Sequence, residues 1–240
     1  MTWAFWGLFL AYHVAALIGN RRADDVRPGT RQSLYVQVPL FLVAMVLAVE
    51  AGALGRNLVA PEYVALGLAV GYAVHAFSLL FTNGFRELTE LVRGLAEYFA
   101  HWKGRGRYFA ESPSIMLMLA VNSVTEEVIY RAVAQPLLAQ LTGQPWVAVG
   151  AVAVVFALAH RHFLRGPLLE GVEFLAYAVL LGALYYATGS LMLVIVVHTV
   201  RNFELYYQQF LIHAENLGSE AAAYAAQEKG GLPGRIPAKS

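Results

Sequence analysis

The chain contains no cysteine, which removes disulfides, thiolate metal sites and a cysteine nucleophile together. Charge is scarce as well: 14% of the 240 residues are Asp, Glu, Lys or Arg, and the formal net charge is +1. A field that weak attracts neither nucleic acid nor acidic partners. There is no His-Glu-x-x-His run to announce a zinc protease, and no internal repeat or second domain. What the chain has in excess is apolar residues, 58% of the total, with a mean hydropathy of +0.54. Soluble domains are about half apolar and about a quarter charged, so the composition calls for lipid as the solvent.

Crossing about 30 Å of hydrocarbon at 1.5 Å per residue takes about 20 apolar residues. By that measure seven stretches qualify: Thr2–Ile18, Leu34–Leu54, Glu62–Thr82, Pro113–Leu141, Pro145–Phe163, Leu168–Thr188 and Ser190–Ile212. The first has no basic residue ahead of it and no small-residue cleavage site, so it reads as a retained span. Only Gly189 separates the last two, which requires a tight helical hairpin. Basic residues follow alternate spans: Arg21, Arg22, Arg27 and Arg31; Arg86, Arg93, Lys103, Arg105 and Arg107; Arg161 and Arg165; Lys229, Arg235 and Lys239. The remaining loops hold Arg56 and almost nothing else basic. The positive-inside rule then puts the N-terminus outside and the C-terminus in the cytoplasm, the cell membrane being the site if the source is bacterial.

Between the third and fourth spans, Phe85–Trp102 places Phe85, Leu88, Leu91, Val92, Leu95, Phe99 and Trp102 at helical spacing among charged residues. This is an amphipathic helix, either at the cytoplasmic interface or projecting from the bundle. The expected fold is therefore all-α, a polytopic membrane helix bundle of seven spans plus an interfacial amphipathic helix. Residues 1–212 form one transmembrane domain, and 213–240 a flexible cytoplasmic tail.

An ionisable group inside a span costs about 3 kcal/mol even on the lenient insertion scale, which makes each one a functional candidate. Span four reads Asn122-Ser123-Val124-Thr125-Glu126-Glu127-Val128-Ile129-Tyr130-Arg131; span five ends Phe156-Ala157-Leu158-Ala159-His160; span seven holds His198-Thr199-Val200-Arg201-Asn202, with Glu204 beyond. Neighbours on a helix point about 100° apart, so Glu126 and Glu127 serve different ends. Glu127 and Arg131 share a face and can pair, which leaves Glu126 without a local partner. His198 and Asn202, also four apart, project toward one point. Taken singly, a histidine or asparagine in a span is most often a helix–helix hydrogen bond, and Glu127–Arg131 a structural ion pair. That reading suits His13, His75 and Glu50, which have no comparable companions, and His162 reads as cytoplasmic rim. It does not account for Glu126, His160, His198 and Asn202 together. A carboxylate and an imidazole sharing a water make a general base, and an imidazole with an amide N–H₂ can receive an oxyanion. Those are the parts for amide hydrolysis without a covalent intermediate.

The three stretches, Glu126-Glu127-x-x-x-Arg131, Phe156-x-x-x-His160 and His198-x-x-x-Asn202, resemble in order the motifs of the CPBP family. These are the CAAX-processing and bacteriocin-processing membrane glutamic endopeptidases, also called the abortive-infection family. The match runs from Asn122 to Asn202. The resemblance implies that Glu126 activates the water and His160 assists it. It implies further that His198 and Asn202 form the oxyanion hole, that Glu127 and Arg131 support the site, and that Phe156 packs beside His160. It points to catalysis without a metal or other cofactor, since the candidate ligands come from three helices and no zinc motif joins them. The expected partner is a membrane-embedded or lipid-anchored peptide or protein, cut near its C-terminus: a prenylated CAAX tail, a peptide precursor or a sorting helix. Other classes use the same residues differently. A proton-linked transporter would employ Glu126, His160 and His198 as a relay, usually with repeats or broken helices. A scaffold would keep them for folding alone. On the peptidase reading Glu126→Ala abolishes cleavage, whereas Glu127→Ala leaves some.

Overall fold

A computed structural model describes residues 1–19, 31–54, 60–83, 88–160 and 167–228. Every regular element among them is helical. In chain order they are α1 (Thr2–Gly19), α2 (Arg31–Glu50), α3 (Pro61–Asn83), α4 (Leu88–Ala100), α5 (Trp102–Glu111) and α6 (Pro113–Glu127). A π-helical segment (Val128–Ala134) then leads into α7 (Gln135–Thr142), α8 (Pro145–Ala159), α9 (Leu168–Thr188), α10 (Leu191–Leu217) and α11 (Glu220–Glu228).

Most of each of the seven stretches picked out by hydropathy falls on helix among the described residues, the fourth as α6, the π segment and α7 end to end; the second leaves its helix at Glu50 and the fifth at Ala159, and residues 161–163 lie outside the described residues. Of the described helices, Pro61–Leu79 and Leu168–Thr188 are long and apolar enough to cross a membrane, and Tyr35–Glu50 and Pro145–Ala159 are apolar but shorter. The basic residues Arg21, Arg22, Arg27, Arg56, Arg86, Arg161, Arg165, Lys229, Arg235 and Lys239, with His162 and the start of the amphipathic stretch at Phe85, lie outside the described residues.

Three local departures from the sequence reading have physical causes. Lys103, Arg105 and Arg107 do not sit in a loop but in α5, and Arg105 is buried in an ion pair. The seventh helix does not stop at Ile212; α10 continues to Leu217, and after Gly218, at φ +64°, the chain forms α11. The Ala- and Glu-rich composition that suggested a tail is equally a good helix former. Finally, the fourth span is not uniformly α-helical. Pro136 has no N–H, and its ring would collide with the carbonyl one α-turn back. The chain answers by widening ahead of it, so that Gln135 N–H donates to Tyr130 C=O, five residues earlier.

The chain divides into two compact units, Ala48–Tyr207 and the pair Met1–Leu47 with Gln208–Ser240. In the second of these, Phe5, Trp6 and Phe9 of α1 form an aromatic cluster, and His13 Nδ1 donates to Phe9 C=O at 2.6 Å within its own helix. Glu50, in the other unit, is exposed.

The Ala48–Tyr207 unit is built inside out by the standard of a soluble domain. Leu117, Leu141, Trp146, Val147, Leu168 and Val172 are exposed, whereas His75, Arg105, Glu127, Arg131, Glu173 and Arg201 are buried. Polar groups inward and apolar groups outward is the arrangement that lipid stabilises. The hairpin between α9 and α10 is set by its turn residues: Gly189 takes φ +64° and returns its N–H to Tyr185 C=O, and Ser190 Oγ accepts from Leu193 N–H at the start of α10. That hairpin aims α10 back past α9. Against α10, α3 approaches closely at Gly67 and Gly71, where an added Cβ would meet Val196 Cβ and Val200 Cβ, each at 2.8 Å.

Candidate active site

The site lies wholly within the Ala48–Tyr207 unit, where α6, the end of α8 and α10 converge. On α6, Ser123, Glu126 and Glu127 stand at spacings of three and four and so face one neighbour. On α10, His198 and Asn202 stand four apart and face back. The two rows mesh. His198 Nδ1 meets Glu127 Oε1 at 2.7 Å, its Nε2 meets Glu126 Oε2 at 3.6 Å, and Asn202 Nδ2 donates to Ser123 Oγ at 3.2 Å. Adjacent glutamates diverge on their helix, yet the two nitrogens of one imidazole also diverge, so a single ring bridges both.

His160 arrives from α8 by a different device. The helix ends there: His160 N–H turns to Ala157 C=O, three residues back, which frees Phe156 C=O. His160 Nδ1 takes up that carbonyl at 2.9 Å, and its Nε2 is left 3.5 Å from Glu126 Oε1. The four-residue spacing of Phe156 and His160 thus orients the ring through the backbone. Phe156 itself is fully buried, with its ring 4.4 Å from that of His160, 6.0 Å from that of His198 and 4.5 Å from the Arg131 guanidinium.

These contacts decide the tautomers. A carbonyl only accepts, so His160 Nδ1 carries hydrogen; an ionised Glu127 only accepts, so His198 Nδ1 carries one too. Both Nε2 atoms are then turned on Glu126 from opposite carboxylate oxygens. The separations of 3.5 and 3.6 Å lie at the outer edge of hydrogen-bond reach, so the carboxylate and both imidazoles converge closely enough for a water beside them to contact all three.

Exposure separates the two glutamates. The side chains of Glu126 and His160 are 18% and 23% exposed, while that of Glu127 is sealed. Behind Glu127, Arg131 Nε lies 3.4 Å from its Oε2, and Arg131 Nη2 donates to Ala178 C=O on α9 at 3.3 Å. Gln135, one more turn along, donates to Gly182 C=O at 3.0 Å. Glu127, Arg131 and Gln135 thereby rivet the widened helix to the backbone of α9.

The seven residues singled out from sequence are therefore brought together: Glu126, His160 and His198 in direct apposition, Asn202 one turn along α10, and Glu127, Arg131 and Phe156 behind them. The sequence reading missed Ser123, which positions Asn202 and whose Oγ donates to Leu119 C=O at 2.9 Å. It also missed a buried ion pair beside the site. Arg201 Nη2 donates to both oxygens of Glu173, at 3.1 and 2.9 Å, and Ser78 Oγ donates to Glu173 Oε1 at 2.5 Å. Glu173 was open to detection as an ionisable residue inside an apolar span; its partners, distant in sequence, were not. A third polar cluster ties α4 and α5 to α10, where Glu204 receives the Tyr98 hydroxyl and lies 3.0 Å from Arg105 Nε. His75, fully buried, packs its ring 5.1 Å from that of Tyr98. Among the described residues no group of three or more His, Asp or Glu is arranged to hold a metal ion.

No curated protein and no solved structure matches the chain. A family model does match, over residues 109–203, a segment that holds Glu126, Glu127, Arg131, Phe156, His160, His198 and Asn202. Its description is Type II CAAX prenyl endopeptidase Rce1-like, and residues 109–203 are similar to that family of membrane peptidases.

Proposed function

We propose that the chain is a glutamic intramembrane endopeptidase that hydrolyses a peptide bond by means of a water held between Glu126 and two imidazoles. The observation that carries this reading is the position of Glu126, with one carboxylate oxygen 3.5 Å from His160 Nε2 and the other 3.6 Å from His198 Nε2, the Glu126 and His160 side chains remaining partly exposed. Glu126 takes a proton from the water, whose oxygen attacks the scissile carbonyl carbon. The carbonyl π electrons move onto oxygen, which is received by His198 Nε2–H and by the Asn202 amide hydrogen not used on Ser123. Glu127 on Nδ1 offsets the charge of His198 in that donating form, as the carboxylate of a serine-protease triad does for its histidine. When the C–N bond breaks, the proton held by Glu126, relayed by His160, passes to the leaving nitrogen. None of these steps calls on a metal or other cofactor.

The family description supports a substrate with a prenylated C-terminal tail, and lipid-anchored peptide precursors or sorting helices fit the same chemistry. We place the chain in the membrane with seven spans, α4 along the cytoplasmic face, the N-terminus outside and the C-terminus inside. One transmembrane domain over 1–212 belongs to the same proposal. The apolar exterior of the Ala48–Tyr207 unit and the alternation of basic loops support this placement.

The test is cleavage in proteoliposomes of a farnesylated CAAX peptide, its unprenylated counterpart and a hydrophobic C-terminal helix, with products read by mass spectrometry. Wild type cuts at least one of these, Glu126→Gln cuts none, and chelator leaves the rate unchanged. Cleavage by Glu126→Gln sinks the proposal. Proton movement without cleavage would favour a transporter, and loss with chelator, restored by zinc, would replace the metal-free mechanism.

A further inference from the structure

Tyr177 is a buried phenol that the chemistry above does not use. It lies on α9, is 3% exposed, and its hydroxyl has no hydrogen-bond partner among the described residues. Such a group bears the full penalty of desolvation without compensation, which is uncommon where nothing requires it. The ring is well held. The Arg201 guanidinium stands over its face at 4.3 Å, Phe174 packs at 6.1 Å, and the His198 ring meets it edge-on at 6.0 Å and 80°. The charges of Glu126, Glu127, Arg131 and Arg201 all act on the hydroxyl. A rigid ring whose hydroxyl has no partner among the described residues thus packs against the imidazole that faces the water-activating carboxylate.

We infer that Tyr177 is a further catalytic residue, whose hydroxyl donates a hydrogen bond to the tetrahedral oxyanion beside His198 and Asn202. The inference rests on the peptidase reading and adds a third donor to it. The proton stays on the phenol throughout. The bond forms as negative charge develops on the former carbonyl oxygen and is given up when the carbonyl re-forms. Before substrate arrives the hydroxyl is unpaired, and this makes the interaction selective for the transition state. The buried ion pair of Arg201 and Glu173 acts on the same donor from behind, by fixing the plane of its ring.

Tyr177→Phe removes the hydroxyl and keeps every ring contact. Against the farnesylated peptide we expect kcat to fall by on the order of 10²-fold, as for loss of an oxyanion donor, with KM unchanged. The melting temperature should be unchanged or higher, because an uncompensated buried hydroxyl is gone. Binding separates catalysis from packing. On a Glu126→Gln background, Tyr177→Phe should leave affinity for the uncleaved peptide intact, and it should weaken a peptide trifluoromethyl ketone, whose hydrate imitates the tetrahedral state. A wild-type rate in Tyr177→Phe overturns the inference. So does a lowered melting temperature, or equal weakening of peptide and ketone. If wild type cleaves and Glu126→Gln does not, either result counts against Tyr177 alone; if Glu126→Gln cleaves, the peptidase reading itself has failed.

Discussion

The two adjacent glutamates differ in what surrounds them, and their substitutions should differ in kind. Glu126 is partly open and faces the imidazole nitrogens of His160 and His198, so Glu126→Gln should lower kcat by about 10⁴-fold, the upper range for a general base, leaving no detectable product in the peptide assay, with little change in melting temperature. Glu127 is sealed between His198 and Arg131. Glu127→Ala would strand the buried Arg131 charge at a cost of about 3–5 kcal/mol, so the folded protein should melt well below wild type while the enzyme that remains folded retains some cleavage. Thermal denaturation of both variants beside their rates tests this, and the assignment fails if the two behave alike. Ser123 offers a finer probe. Asn202 is held by Ser123 Oγ, so Ser123→Ala should slow cleavage about tenfold by leaving the amide free to rotate, since its share is positioning rather than charge. A full rate in that variant would show that Asn202 needs no such restraint.

At the scale of elements, function depends on how closely α3, α6 and α9 approach α10. Gly67 and Gly71 are four apart on α3 and admit the Val196 and Val200 side chains of α10. Small residues at that spacing let membrane helices approach closely, where packing rather than hydrophobicity holds them. Gly71→Ala would place a Cβ 2.8 Å from Val200 Cβ, forcing the helices apart at a cost of about 1–3 kcal/mol. Val200→Gly in the same chain should recover part of the lost melting temperature, because it removes the Cβ that the new methyl meets. Failure of the double variant to recover would mean that the contact is not what the glycine protects. The π segment belongs to this scale too. Pro136 was visible in the sequence, but a proline inside a span can kink, bulge or end a helix, and only the packed structure shows that it widens the turns between Glu127 and Gln135.

For the whole molecule, the proposed orientation has a direct test. A periplasmic-only reporter fused to the C-terminus should be inactive and a fluorescent reporter there active, with the reverse at the N-terminus, and the protein should resist alkaline carbonate extraction from membranes. A C-terminus found outside would overturn the charge-based orientation. Arg105 shows how far such an argument can be trusted residue by residue. It was counted among the basic residues that mark the cytoplasmic side, yet it is buried against Glu204 with its guanidinium 4.3 Å from the Tyr98 ring. Its charge is neutralised within the protein rather than presented to a membrane surface. Lys103, on an exposed position of the same helix, still presents its own, while Arg107, also exposed, pairs with Glu111 Oε1 at 2.7 Å.

The amino-acid sequence alone determined that the chain is helical, roughly where its long apolar helices lie, and that ionisable residues on three of them call for a common explanation. It could do so because helix length and hydropathy are local properties, and because a charge within an apolar run is costly wherever that run folds. Ser123 and Tyr177 carried no such signal, since a serine or tyrosine in a span is ordinary. Glu173 carried half of one: its partners Arg201 and Ser78 lie 28 and 95 residues away, and no spacing rule joins them. Tertiary structure decided which nitrogen of each histidine faces Glu126, which glutamate is sealed, and which hydroxyl stands unpaired beside them. Those depend on the crossing of helices from distant parts of the chain, and a difference of one ångström in that crossing decides whether two side chains meet at all.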